Sequence, residues 1–394
     1  MTSYIKYITF ITTLLTLFSC VEEIELQTET IFEDVLVVEA KITNEFKQQE
    51  ILLSRTYELE SEGPAFERNA TIKIIEGDMY YDFYESTAGT YVSNTPFAAK
   101  PNVNYKLEIV RSNGDAYEST VNTLTQQTQI DDVFFERGFN ENEEEGVSVF
   151  VDSFDPTGNS KYYRFEYEET YKIVAPDWVE TDMACVRDDI GSINFVFSQR
   201  SIEELVCYNT VKSNTIIITN TNALAQDKLE QFRVRFINRD NYIMSHRYSI
   251  QVKQYVISED AYRYYRILKD ISSSESVLSQ NQVGHIEGNI YSLGNPNEKV
   301  LGYFEVASVD IKRIYFNYTD LFPNEFLPPY IISCVPFSPD IRFICDALSE
   351  SQGNKYYGPN LNPDPSQSFV YLIAGECGNC KVLGTHTPPD FWEE

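Results

Sequence analysis

Along much of the chain, apolar residues recur at every second position in short runs separated by polar or turn-forming residues. Leu36, Val38, Ala40 and Ile42 share one side of such a run, and Ile51 with Leu53, Ile72 with Ile74, and Tyr81 with Phe83 repeat the spacing. A period of two marks half-buried strands, because successive side chains of a strand leave opposite faces. Tyr105, Leu107 and Ile109 run into Ser112-Asn113-Gly114-Asp115, after which Tyr117, Ser119 and Val121 resume the alternation. Asn-Gly between two alternating runs predicts a tight hairpin, since both residues tolerate positive φ. About seven short strands over residues 33–127 predict an immunoglobulin-like β-sandwich. No Cys falls in that segment, so the sandwich is expected to lack the antibody-type bridge.

The polar stretch Thr123 to Ile130 reads as a connector, which puts a second, larger β-rich domain at 128–394. Asn140 to Glu145 is an acidic run expected to be a solvated loop. Val147, Val149 and Val151 alternate beyond it, and Tyr163, Phe165 and Tyr167 line one face of a further strand. Those three rings suit a sandwich core better than a sugar-binding platform. One helix stands out: Ser258 can cap it, Glu259 and Asp260 suit the positive end of its dipole, and Ala261, Tyr264, Tyr265, Leu268 and Ile271 follow helical spacing. It is expected to cover one side or end of the second sheet. Leu321 to Pro365, rich in Pro, Asn and Ser, predicts an irregular excursion pinned by disulfides.

Composition sharpens this picture. The 394 residues carry 31 Lys and Arg against 60 Asp and Glu, a formal charge of −29, which disfavours nucleic acid and electrostatic docking on anionic lipid. The 28 Tyr and 25 Phe favour strands over helices. The N-terminus adds an address. Lys6 precedes an apolar stretch from Tyr7 to Phe18 that is too short to span a bilayer, and Leu17-Phe18-Ser19-Cys20 resembles a bacterial lipobox. Residues 1–19 then form a signal peptide, Cys20 carries the acyl chains that hold the protein at outer-membrane lipid, and 20–32 form an acidic tether. Val21-Glu22-Glu23-Ile24-Glu25 resembles the export signal of surface-exposed lipoproteins of Bacteroidota.

Besides Cys20, six cysteines remain: Cys185, Cys207, Cys334, Cys345, Cys377 and Cys380. An even number in an exported protein predicts disulfides. Cys185 is expected to pair with Cys207, its neighbour in sequence, leaving two bridges near the C-terminus. Cys377-Gly-Asn-Cys380 also fits a redox pair or half a zinc site, with Cys334, Cys345 or His386 as further ligands. The chain after it offers no helical continuation, so structural bridges are the preferred reading.

Catalytic signatures are scarce. The three His (246, 285 and 386) form no HExxH motif, and no GxSxG elbow or GxxxxGK[ST] loop occurs. His285 reads as a structural, hydrogen-bonded residue, and His386 as an exposed or packing one. Asp152-Ser-Phe-Asp155-Pro-Thr-Gly158 faintly resembles a calcium loop but lacks its alternating ligands. Of the two Trp, Trp178 and Trp392, the second sits in Pro389-Asp390-Phe391-Trp392 and is expected to pack the tail down. No catalytic residue, cofactor or metal is assigned.

Three segments together carry a family resemblance: Gly89-Thr90-Tyr91 with Tyr105-Lys106-Leu107 and its hairpin; Val283-Gly284-His285-Ile286-Glu287-Gly288-Asn289-Ile290 continuing to Val300-Leu301-Gly302-Tyr303-Phe304; and Glu376-Cys377-Gly378-Asn379-Cys380 with the Phe391-Trp392 ending. The chain resembles an uncharacterised family of Bacteroidota outer-membrane lipoproteins, a domain of unknown function often encoded beside TonB-dependent receptors. The resemblance implies a non-enzymatic, lipid-anchored binding or scaffold accessory of such a receptor or a related barrel, facing the cell exterior. The alternatives are a lipoprotein that captures glycan or peptide for the receptor and, more remotely, a hydrolase.

Overall fold

Most of the segments in which the sequence keeps apolar residues two apart are pleated and bury those residues; Val121 is an exception, lying exposed beyond the end of its strand, and Tyr81 is half-buried. The computed structural model describes residues 34–57, 63–189, 192–273 and 286–394. The signal peptide, Cys20, the acidic tether and His285 lie outside these residues. The first part of the chain forms β1 (Leu36–Thr43), β2 (Glu50–Arg55), β3 (Thr71–Glu76), β4 (Met79–Thr87), β5 (Thr90–Ser93), β6 (Asn104–Val110), β7 (Ala116–Ser119) and the short β8 (Asn122–Thr123). The alternating residues of β1, β2, β3 and β6 are all buried, and Gly114, at φ 95°, turns β6 into β7 as the Asn-Gly pair predicts.

The rest of the chain supplies β9 (Ile130–Phe139), β10 (Glu145–Asp155), β11 (Tyr162–Val174), β12 (Thr181–Arg187), β13 (Ile193–Gln199), β14 (Val206–Lys212), β15 (Ile217–Asn220), β16 (Asp227–Asn238), β17 (Arg247–Val256), the helix α1 (Glu259–Ser273), β18 (Ile290–Ser292), β19 (Val300–Asn317), β20 (Lys355–Pro359) and β21 (Val370–Ile373). The fold is mainly β, as the periodicity and aromatic content predict.

The expected partition at 127 differs from what the strands do. Hydrogen bonding runs β14-β11-β17-β19-β1-β2-β5-β4-β3-β6-β7-β18 as one continuous sheet, not as two facing sheets closed within 33–127. The N-terminal half of the run bends around its own core, in which Leu36, Ile51, Ile72, Tyr91 and Leu107 meet Ile290, Val300, Phe304 and Val306 from far along the chain. β18 pairs with β7 at one end. Near the other end, Asn289 donates to the carbonyl of Phe304 at 2.9 Å and accepts from its N–H at 2.7 Å, so one side-chain amide bridges the gap to β19. Residues 33–127 are therefore not self-contained.

Close approach at this closure requires glycine. A Cβ on Gly302 would meet the Val38 carbonyl oxygen at 2.3 Å, and one on Gly288 would meet that of Gly302 at 1.8 Å.

The second body is a sandwich. Sheet β16-β10-β9 packs across β14-β11-β17-β19, and Val147, Val149, Val151, Tyr163, Phe165, Tyr248, Ile250 and Val252 fill the space between. β19 belongs to both bodies: residues 300–307 pair in parallel with β1, and 308–317 pair antiparallel with β17. Helix α1 starts where expected, with the Ser258 hydroxyl accepting from the Ala261 N–H at 3.1 Å. It covers the junction of the bodies rather than the second alone, since Ala261 and Tyr264 pack on Tyr255, Tyr303, Ala307 and Val309.

A third, small element caps the far end of β19. Hairpin β12–β13, hairpin β20–β21 and the helical turn Ile344–Ala347 share a modest core of Met183, Ile344, Val370 and Leu372.

Gly302→Ala forces two backbones apart at the closure and is expected to lower stability by about 1–3 kcal/mol. Gly138→Ala, in open space, should stay within about 0.5 kcal/mol of wild type. Denaturant unfolding of both variants checks this, and equal midpoints would contradict it.

Candidate functional site

Along β11 the alternation that sends Tyr163, Phe165 and Tyr167 into the sandwich core sends Arg164, Glu166 and Glu168 to the opposite face. The three rings are buried, so they offer no sugar platform. On the outer face Arg164 bonds Glu166 at 2.5 Å and Glu305 of β19 at 2.8 Å. Glu166 also takes Lys41 of β1 at 2.8 Å and the Tyr255 hydroxyl at 2.9 Å. The guanidinium of Arg164 lies 4.7 Å from the ring centres of both Tyr255 and Tyr265, under helix α1. Burial pushes the Lys41 ammonium down to about 8, the Arg164 charge adding to the effect while Glu166 and Glu305 oppose it. Burial alone would raise Glu166, but Arg164 and Lys41 hold its carboxyl well below the usual range. With members from β1, β11, β17, β19 and α1, this network is an ion-pair lock between the two bodies. A cleft of about 480 Å³ opens beside it, lined by Glu39, Glu50, Lys212, Lys253 and the loop from Ser213 to Ile216. Sequence reading missed the lock because 60 carboxylates make any chosen pair uninformative; the alternation of Arg164 and Glu166 opposite three aromatics was the signal that could have found it.

The cap carries the other distinctive surface. Its cysteines join as Cys185–Cys345, Cys207–Cys380 and Cys334–Cys377. The expected Cys185–Cys207 bridge is thus corrected: β12 holds Cys185 in the cap hairpin, while β14 pairs with β11 in the main sheet and buries Cys207 in the sandwich core. Cys377 and Cys380 are not bonded to each other. Asp177, Cys334 and Cys377 bring ligand atoms within 4.8 Å of one another, but both sulfurs are committed to one bond and offer no thiolate. Two of the bridges close sequence separations of 160 and 173 residues. Loops of that length are worth about 5 kcal/mol each in the chain-entropy account, which offsets the cap's small core.

On this pinned scaffold the excursion after Leu321 exposes a band of large apolar side chains. Phe326 is 95% exposed and Val335 67%, with Leu327, Ile331, Phe337 and Phe343 also open to solvent. The hairpin adds Val186, Ile193, Val196 and Phe197. Several of the charges within the excursion are paired: Asp340 with Arg342 at 2.7 Å, and Glu325 with Arg137 at 2.6 Å. Large apolar side chains left in water throughout one segment and the neighbouring hairpin make this region the candidate contact surface.

The remaining candidates are structural. Asp155 closes a turn of its own chain, accepting from Thr157 N–H at 2.9 Å and hydroxyl at 2.7 Å, Asn159 N–H at 3.0 Å and Ser160 N–H at 2.9 Å. Those four donors occupy the oxygens a calcium ion would need. Burial works to raise its pKa, but the donors from Thr157 and Ser160 bring it down to about 2. His246 is half-buried beside an apolar pocket of about 340 Å³ with Tyr242, Leu327 and Tyr330, and burial together with Lys172 lowers its pKa. His386 is partly exposed, 3.7 Å from Glu203. Trp178 packs against the sandwich core. Trp392 packs edge-on to Tyr208 with ring centres 5.0 Å apart, and Phe391 lies 3.5 Å from the Arg313 guanidinium, so the tail is held down as predicted.

Residues 21–313 match the model of a family described as a domain of unknown function, DUF4249. No curated protein matches the chain.

Digestion without reduction should yield linked peptides containing Cys185–Cys345, Cys207–Cys380 and Cys334–Cys377; a Cys185–Cys207 peptide would contradict the connectivity. Because the folded Asp155 binds its proton less tightly than the unfolded one, its contribution is present above about pH 4 and lost as pH falls toward about 2. Asp155→Ala should therefore cost about 2 kcal/mol at pH 7, with the difference from wild type closing over that acid window. A gap that stays constant in acid would refute it.

Proposed function

From membership of the DUF4249 family, to which the chain belongs, and from the exposed apolar face of its disulfide-pinned cap, we propose that the protein is a non-catalytic lipoprotein of the outer membrane. Acylated Cys20 anchors it, and the cap docks a protein partner, a TonB-dependent receptor or a related barrel complex. The observation that carries this reading is the cap itself. Three covalent bridges hold a small subdomain whose apolar side chains are turned outward, which lowers the ordering cost of binding a surface.

The topology favours presentation away from the anchor. β1 begins beside Val300, and the cap follows Asn317 at the other end of β19. Seventeen residue steps at about 3.3 Å each separate those ends by up to about 55 Å. The described chain therefore emerges at Asp34 on the pole opposite the cap. A tether from Cys20 to Asp34 spans at most about 50 Å, enough to reach past neighbouring headgroups while the cap stands off the bilayer.

Cys20→Ser is expected to leave the chain unlipidated and lost from the membrane fraction, read by intact mass and by fractionation. Purification of the tagged wild type in mild detergent should bring a stoichiometric barrel partner. Equal membrane retention of the variant would refute the anchor, and a lone monomer carrying bound oligosaccharide would favour the capture reading instead.

A further inference from the structure

We infer that the open edge of β13 accepts an extended segment of a partner protein as an added strand. The inference deepens the proposed function, since it rests on the cap being the binding face, and it names the chemistry of the segment bound.

The ladder of the cap hairpin establishes which backbone groups are free. The Asp188 N–H donates to the Ser192 carbonyl at 3.0 Å, and the Arg200 N–H donates to the Glu180 carbonyl at 2.8 Å. Hydrogen-bonded pairs alternate with non-bonded ones in an antiparallel ladder. Stepping inward by two from either end, Val186 with Asn194, Ala184 with Val196, and Asp182 with Ser198 are the bonded pairs of the observed register. Ile193, Phe195, Phe197 and Gln199 therefore turn their N–H and carbonyl groups the other way, and no backbone partner from the described residues meets them there.

Strand edges are normally blunted by charge, proline or a bulge. β13 reads Ile-Asn-Phe-Val-Phe-Ser-Gln, with no charge, no Pro and no register shift against β12. The apolar layer beneath also stops at this edge. Phe195 meets Phe369 at 5.1 Å and Phe197 meets Tyr356 at 5.6 Å, yet Phe197 remains half exposed and Ile193 is 43% exposed. A neighbouring strand with apolar residues at alternate positions would complete that layer. The Cys185–Cys345 bridge, with Cys185 opposite Phe195 in the register, holds the template still.

Charge specifies the flanks. Along β12 and its ends Glu180, Asp182, Asp188 and Asp189 outnumber Arg187, although Asp182 already pairs with Lys355 at 3.4 Å, and the whole protein carries a net charge of −29. The matching occupant is an extended, alternately apolar segment with basic ends. Strand addition of this kind takes its affinity from main-chain hydrogen bonds and its specificity from alternate side chains.

The test uses the full mature chain in mild detergent and a labelled synthetic peptide of alternating Val and Thr with a Lys at each end, followed by fluorescence polarisation. Peptides N-methylated on one or the other set of alternate amides separate a ladder from simple adhesion. Methylation in one phase is expected to weaken binding at least about tenfold, and in the other phase less than about twofold. Phe197→Pro, which removes an outward N–H, should weaken the unmodified peptide at least about tenfold with its melting temperature monitored, whereas Val121→Glu, an exposed position of the first body away from the cap, should leave binding unchanged. Equal binding of both methylated peptides, or none by the unmodified one, would overturn the inference. So would a dimer of the chain, seen by sedimentation, that the peptide fails to dissociate. If the peptide fails while a barrel still co-purifies with wild type, the edge is wrong and the proposed function stands.

Discussion

The pairing of β19 on both of its sides is the constraint on which the rest of the structure depends. Eight residues, Val300–Ala307, bond β1 in parallel, and the next ten, Ser308–Asn317, bond β17 antiparallel. A strand shared in this way cannot let its two bodies rotate freely, because its backbone groups on each half are committed to a different partner. The ion-pair lock lies where the hand-over occurs, and helix α1 covers it. Glu305 sits in the first half of the strand and is reached by Arg164 from the second body. The apolar seal of Tyr255, Ala261, Tyr264 and Tyr303 continues over the same junction. Backbone pairing, charge and burial thus act on one region, and they join the two bodies through a shared strand rather than a linker.

Rigidity at the spine contrasts with what holds the cap. Its buried cluster is small, and its strands form two short hairpins, which alone are marginal in water. Covalent bridges replace the missing core. Cys207–Cys380 and Cys334–Cys377 fasten the neighbouring Cys377 and Cys380 in two directions, one into the sandwich and one to the excursion. The cap can therefore leave apolar residues outside instead of spending them on its own interior. An oxidising environment, which an exported lipoprotein would meet, is the condition for that solution.

Placement then links structure to the proposed role. In the proposed arrangement the chain reaches β1 from the anchor side, β19 extends for up to about 55 Å, and the apolar face and open strand edge lie at the end beyond Asn317. Lys41, Arg164, Glu166 and Glu305 are partners of one another, so this cluster of charges serves to hold the two bodies together. In the proposed role, recognition falls to backbone groups and apolar side chains of the cap, a division suited to a scaffold that must hold its surface in a fixed orientation.

Local features were legible in the sequence by itself. Alternation at Leu36–Ile42 and Tyr105–Ile109 named strands and their buried sides, Asn113–Gly114 named a hairpin, Ser258 named a helix start, and Phe391–Trp392 named a packed tail. Each depends on interactions within a few residues, which periodicity and turn chemistry report directly. Tertiary structure decided what is paired across distance: that Leu36 lies beside Val300, that Asn289 closes the curled sheet onto Phe304, that Cys185 finds Cys345 rather than Cys207, and that Arg164 chooses Glu166 and Glu305 among many acids. The physical reason is that a strand's pattern states which face is buried but not which strand will lie alongside it, and a cysteine or a carboxylate carries no mark of its partner until the chain has brought the two together.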